Sequence, residues 1–189
     1  MKIANTKKHG FTLIELIVVI AIIGVLAAVL VPAMMGYVKK SRRTSDIASA
    51  KRIYDSVMTT ISSDDDAAES LTAQCAQSKD VTVQYNGEEE DYTLCVACSR
   101  DGTKKSGKSS SKWGGGTSDA QLFENEINAI AGKSVIPVEY TKSESGKTLN
   151  RWFICYHDDD PSQIEIWVGD SKTDTPTYRI HPQRDDNYA

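Results

Sequence analysis

Apolar residues crowd one end of this chain and are spaced out through the rest. From Phe11 to Val31 there is a single charge, Glu15, and from Leu16 to Val31 the run is apolar apart from Gly24. As an α-helix these 21 residues measure about 31 Å, the thickness of a hydrocarbon core. Their fifteen Leu, Ile, Val and Phe residues favour insertion by roughly 5–9 kcal/mol, against about 3 kcal/mol for one charge even at the bilayer centre. The pattern predicts a membrane-spanning helix, with Glu15 near its end.

Beyond Pro32 the spacing changes. Ile47, Ala50, Tyr54, Val57 and Ile61 recur at steps of three and four, an amphipathic stripe that predicts helix as far as about Ser63. The acidic run Asp64-Asp65-Asp66 opposes the macrodipole at a helix C-terminus and so is expected to end it. Residues 67–78 predict a short helix. Val81 to Tyr85 alternates, Asn86-Gly87 signals a turn, and Tyr92 to Ala97 alternates again, giving a hairpin with a longer loop. Arg100 to Gly116 has no apolar period and predicts an exposed loop ending near Trp113, a solvated linker in preference to a surface for DNA or a neighbour. Ser118 and Gln121 form a capping-box pattern before a helix through Leu122, Phe123, Glu126, Ile127 and Ile130 to Gly132, whose apolar face would cover a sheet. Strands are predicted at Val135–Thr141, Leu149–His157, Gln163–Val168 and Thr177–His181. A long helix laid across an antiparallel sheet makes the expected class α+β.

Charge sharpens the division. The net charge of −4 combines three lysines in the first ten residues and Glu15 with nineteen basic and twenty-five acidic groups after Pro32. Lys39, Lys40, Arg42, Arg43, Lys51 and Arg52 form a basic collar opposed only by Asp46, and residues 53–189 carry thirteen basic and twenty-four acidic groups. A basic collar beside an apolar segment suits an anionic membrane surface, and the acidic remainder argues against generic nucleic-acid binding. The collar of one copy is also expected to face acidic surface on a neighbour, in a salt-dependent way.

An ionisable residue in an apolar segment usually has a function. Here the string Lys7-Lys8-His9-Gly10-Phe11-Thr12-Leu13-Ile14-Glu15-Leu16, followed by the apolar run and Pro32, resembles the class III signal of type IV prepilins and pseudopilins. The resemblance implies cleavage between Gly10 and Phe11 by prepilin peptidase and N-methylation of Phe11. It also implies assembly through Glu15, which would meet the amino terminus of a neighbouring subunit in the filament core, and loosening of the helix between Gly24 and Pro32. The domain organisation then reads as a cleaved leader (1–10), a transmembrane and filament-core helix (11–32), its amphipathic continuation (33–63) and a globular head (64–189).

The implied partners are other copies of the chain and other pilins, prepilin peptidase, the assembly platform with its ATPase, and the cytoplasmic membrane before assembly. No nucleic acid is expected, with DNA a ligand only in a competence system. The head would lie outside the membrane, and the assembled filament outside the cell. Two other readings of the segment stand beside this one. Val31-Pro32-Ala33 resembles a signal-peptidase site, although the apolar core is longer than such signals carry. A plain anchor for a binding protein or enzyme is the other.

Cys75, Cys95, Cys98 and Cys155 are an even set in a chain read as exported, which suggests disulfides. Cys95 and Cys98 fall on opposite faces of a strand, so pairs drawing on Cys75 and Cys155, in either combination, are favoured. A thiolate zinc site on the single CxxC, or free buried thiols, are alternatives. Asp158, Asp159, Asp160, Asp170 and Asp174 offer oxygen ligands for calcium in no recognisable ligand pattern, and surface turns account for them more simply. No cofactor is expected. Gly114-Gly115-Gly116 lacks the Lys-Ser/Thr of a phosphate loop, and His157 and His181 stand apart from any nucleophile, so no enzyme is predicted.

Overall fold

The computed structural model describes residues 11–77, 80–98, 113, 121–130, 136, 138–141, 148–157, 160–170, 173 and 175–188. The chain divides into two units between Lys40 and Ser41. One helix, α1 (Leu13–Ser63), contributes to both. The second unit adds α2 (Asp65–Gln77), β1 (Asp80–Tyr85), β2 (Glu88–Cys98), α3 (Gln121–Ile130), β3 (Arg151–His157), β4 (Asp160–Asp170), β5 (Thr175–His181) and a 3-10 turn at Asp186–Tyr188. Its five strands form one antiparallel sheet in the order β1-β2-β3-β4-β5, so the fold is α+β as the sequence pattern predicts.

Within the second unit α1 packs as its stripe demands. Ala50 and Val57 are fully buried, and Ile47, Tyr54 and Ile61 pack at the margin of the same core. Ile53, Asp46, Ser49 and Thr60 are also buried on this face. Thr60 is tolerated there because its hydroxyl donates to the Ser56 carbonyl at 2.9 Å. The helix ends where the acids begin, but the acids then serve the next element. The Asp64 carboxylate accepts from the Ala67 amide at 3.0 Å as an N-cap, and Asp65 and Asp66 occupy the first turn of α2, where the macrodipole favours negative charge.

Alternation along β3 supplies two cores. Trp152, Ile154 and Tyr156 join the main core with Ala50, Ile53 and Val57, whereas Phe153 and Cys155 join Val83, Tyr85 and Trp167. Hence α1 packs against one face of the sheet at β3, and the second cluster, with side chains from β1, β3 and β4, lies on the other. In this second cluster Tyr85 meets Trp167 edge-on with centroids 6.4 Å apart, and the Arg179 guanidinium lies 3.5 Å from the centre of the Tyr85 ring. The nearly buried Glu165 carboxylate binds Arg179 and accepts from the Trp167 indole at 2.9 Å, so neither charge is left unpaired.

Several expectations change. The hairpin has a two-residue turn in place of a longer loop: Asn86 and Gly87 adopt φ of 49° and 92°, so Tyr85 pairs directly with Glu88. Residues 136 and 138–141 form no strand, because side chains use their backbone groups. Trp152 donates its indole N–H to the Ile136 carbonyl at 3.0 Å, and the amides of Glu139 and Tyr140 point at Asp46. Phe123 and Ile127 of α3 enter the main core, but α3 lies beside α2, and Leu122 and Ile130 are exposed where a sheet-covering face was expected. Trp113 is buried. Asn128 of α3 clamps it, accepting from the Trp113 amide at 2.7 Å and donating to its carbonyl at 2.9 Å. The rest of the loop from Arg100 to Gly116 lies outside the described residues, as does Ser118.

Gly169 marks the tightest approach in the sheet. A Cβ there would sit 2.0 Å from the Thr175 carbonyl oxygen and 2.9 Å from both Phe153 and the Pro176 backbone. The contact is with backbone, so β5 would have to move off β4. Gly169→Ala is expected to destabilise this unit by about 4 kcal/mol or more, near the limit for a single substitution. Chemical denaturation of the detergent-solubilised chain checks this.

Candidate assembly site

The start of α1 is built by a reciprocal cap. Thr12 donates its backbone N–H and its hydroxyl to one Glu15 carboxylate oxygen, at 2.8 and 2.7 Å, and its hydroxyl oxygen accepts from the Glu15 amide at 3.4 Å. This is a Thr-x-x-Glu capping box, so Glu15 satisfies the helix N-terminus as well as carrying charge. The role of the Thr12 hydroxyl is absent from the sequence-based expectations. Its signal was present, a Thr three positions before a Glu at the head of an apolar run. Among the described residues no cation lies within ion-pair distance of Glu15, and Phe11 is 87% exposed.

Behind this cap the helix is apolar and uncovered. Its most apolar window has a mean hydropathy of 3.1, none of it buried, and the helix is long and apolar enough to cross a membrane. Exposed Ile, Leu and Val continue through Val31, with Met34, Met35, Tyr37 and Val38 beyond. Such a surface is stable only against lipid or other helices. Gly24 and Pro32 both lie inside the continuous helix, and a Cβ at Gly24 would meet nothing within 4 Å. Gly24→Ala is therefore expected to leave the subunit intact and to firm the helix by about 1 kcal/mol. If loosening near Gly24 serves assembly, filament yield falls while the membrane level of the subunit stays constant; immunoblots of both fractions give the answer.

Gly10 and the preceding residues lie outside the described residues, and so do the side chains of Cys75, Cys95 and Cys98. The disulfide and CxxC readings therefore fall outside them too. Cys155 is buried in β3. Among the described residues no group of three or more His, Cys, Asp or Glu is placed to hold a metal; Asp158, Asp159 and Asp174 are outside that set, and Asp170 is buried in β4.

A second arrangement, in the head, had no signal in the sequence. Asp46 is fully enclosed, and its carboxylate accepts from the Glu139 and Tyr140 amides at 2.8 Å each and from the Tyr188 hydroxyl at 2.6 Å. Arg43, a turn earlier, does not pair with it. That guanidinium donates to the Tyr140 hydroxyl at 2.9 Å and stacks over the Tyr140 ring at 4.4 Å. Burial raises Asp46 above the ordinary carboxylate range although its three donors pull it back, and burial beside Asp46 pushes the Tyr188 hydroxyl far up, so Tyr188 remains a donor.

Comparison with known proteins places the recognisable part of the chain at α1. A family model described as the prokaryotic N-terminal methylation motif matches residues 5–31. Fimbrial protein Q of Moraxella bovis is 47% identical over 57 residues, which are 29% of this chain and 36% of that protein. Type II secretion system core protein G of Escherichia coli (strain K12) is 46% identical over 55 residues, 28% of this chain and 38% of that protein. Type IV major pilin protein PilE1 of Neisseria gonorrhoeae is 49% identical over 47 residues, 25% of this chain and 28% of that protein. The match thus spans only about a third of the length of these relatives. No solved structure matches the chain significantly. With a methylation motif at residues 5–31 and a long apolar helix, the N-terminal segment of the chain is similar to those of type IV pilins and of a type II secretion core protein.

Proposed function

We propose that the chain is a structural subunit of a type IV pilus. It is cut between Gly10 and Phe11 by prepilin peptidase, methylated at Phe11, and polymerised through residues 11–32 by an assembly platform and its ATPase. Residues 33–63 continue the helix beneath a head formed by residues 64–189. Before assembly the subunit sits in the cytoplasmic membrane with its head outside; afterwards it lies in an extracellular filament serving adhesion, motility or biofilm formation. The observation that carries this reading is the uncovered apolar helix that begins at a capped carboxylate, Glu15, with no cation within ion-pair distance among the described residues. Cleavage would create an ammonium at Phe11, and a buried ammonium is tolerable only when paired, which a neighbour's Glu15 provides.

Mass spectrometry of the mature protein tests the processing: an N-terminal N-methyl-phenylalanine supports the reading, and a chain starting at Met1 or Met34 removes it. Electron microscopy of sheared surface material, with and without the gene, tests the filament. A pseudopilin role in protein secretion is the second reading, favoured by the similarity to core protein G, and filaments seen only on overexpression would select it.

A further inference from the structure

The turn of the β1–β2 hairpin carries chemistry of its own. Asn86-Gly87 is the one Asn-Gly pair in the chain, and both residues are exposed. They are the central residues of the turn, with φ of 49° and 92°, and the pairing of the strands closes at Tyr85 and Glu88. In a two-residue turn the flanking residues exchange the hydrogen bonds, so the Gly87 N–H stays out of the ladder. That nitrogen has no neighbouring Cβ to shield it, and the space where a Cβ would stand is open to 4 Å. An asparagine Cγ lies where the nitrogen of the next residue can close a five-membered ring on it, so a reactive pair is in place.

The fold adds a donor to this pair from far along the chain. The Asp186 N–H donates to the Asn86 side-chain oxygen Oδ1 at 3.1 Å across 100 residues. The segment that carries it is itself tied down: the Asp185 amide donates to the Arg179 carbonyl at 2.9 Å, and the Tyr188 hydroxyl donates to Asp46 at 2.6 Å. Attack on Cγ by the Gly87 nitrogen puts negative charge on Oδ1. A fixed N–H aimed at that oxygen stabilises the charge as it forms and holds the side chain in the turn. Asn128 provides the contrast. Its Oδ1 also accepts a backbone N–H, from Trp113, but the next nitrogen, that of Ala129, is committed within α3.

We propose that Asn86 is a self-modification site, deamidated by its own backbone with the Asp186 N–H as the oxyanion donor. The Gly87 nitrogen loses its proton to hydroxide and bonds to Asn86 Cγ, and the charge gathers on Oδ1. Collapse breaks the Cγ–Nδ2 bond, and Nδ2 takes a proton from water and leaves as ammonia. Water then opens the succinimide. Breaking the new Cγ–N bond gives aspartate, whereas breaking the bond from the main-chain carbonyl carbon to nitrogen gives isoaspartate, with the chain running through the former side chain. Aspartate keeps an acceptor for the Asp186 amide and adds a charge near Glu88. Isoaspartate lengthens a turn whose two residues set the pairing of Tyr85 with Glu88, so it loosens the hairpin end. The modification is independent of the reading of the chain as a pilus subunit.

Peptide mapping by mass spectrometry tests this on the full-length chain in detergent micelles at mildly alkaline pH, with isoaspartate counted by enzymatic methylation. Asn86 is expected to convert at least as fast in the folded chain as in the same chain in guanidinium, and faster than the exposed Asn125 and Asn187. Asp186→Pro removes the donor while its ring suits the first residue of the 3-10 turn, and Asp186→Ala keeps the N–H and loses only the carboxylate. When folded, the Pro variant is expected to convert roughly tenfold more slowly than the Ala variant. That is less than the effect of about a hundredfold or more of such a donor in a dry site, because Asn86 is exposed. In guanidinium the two variants are expected to convert equally. Slower conversion of the wild-type chain when folded than when denatured overturns the proposal without any variant, and so do equal rates for the two folded variants.

Discussion

Glu15→Ala is expected to leave the subunit in the membrane and to abolish its filaments. Insertion survives because removing the one charge of the apolar run makes insertion more favourable, by up to about 3 kcal/mol. On the proposed processing, assembly fails because the new ammonium at Phe11 would enter the filament core without its counter-ion, and removing one partner of a buried pair costs about 3–5 kcal/mol. The capping box adds a complication that Glu15→Gln resolves. Its amide oxygen can still accept from the Thr12 N–H and hydroxyl, so the cap is retained while the charge is lost. If charge pairing is what matters, Gln fails as Ala does. Full piliation by Glu15→Gln with loss only in Glu15→Ala would assign the residue to capping and sink the counter-ion role. Immunoblots of membrane and sheared fractions distinguish the outcomes.

The second large effect is expected at Asp46. Asp46→Ala leaves two backbone amides and the Tyr188 hydroxyl buried without their acceptor, at about 1–3 kcal/mol each, for a total loss of about 3 kcal/mol or more. In the full-length chain in detergent micelles this corresponds to a fall of roughly 10 °C in Tm. Asp46→Asn is milder, because its amide group can donate to the Tyr188 oxygen, but the Tyr140 amide then faces a donor.

The two Asp46 variants also separate by pH. Burial raises the carboxyl in the folded state, so its contribution is fully present below the unfolded value near 3.8 and declines as pH rises through the raised value. The advantage of wild type over Asp46→Asn should therefore be largest in acid and shrink toward neutrality. Buried Asp185 is raised in the same sense, whereas burial lowers His181, whose contribution is present above 6.5 and lost as pH falls through its depressed value. An advantage that grows with rising pH would show that the three donors outweigh burial at Asp46.

What the sequence revealed depended on the range of the interactions involved. The apolar run, the stripe of Ile47 to Ile61 and the Asn86-Gly87 turn act within a few residues, and each appears in the structure at the expected place. Among the described residues of the strand expected at Val135–Thr141 no strand forms, because the amides of Glu139 and Tyr140 are claimed by Asp46, more than ninety residues away in the chain. The local sequence around Trp113 predicts a solvated linker because nothing beside it reveals Asn128, which clamps it from α3. Asp46 itself looked like the single acid offsetting a basic collar, and only the fold shows it facing inward. Glu15 was legible through its resemblance, whereas its cap on Thr12 was a local signal that charge alone had obscured.

The hydrogen bond from Tyr188 to Asp46 joins residues 142 positions apart. A ribosome adding about 5–20 residues per second takes roughly 7–28 s to travel from one to the other. Throughout that interval the Asp46 carboxylate has no tyrosine to meet, while the apolar segment before it has already been made. On the proposed reading the apolar segment is thus available to a membrane for that whole interval before the head can close on Tyr188.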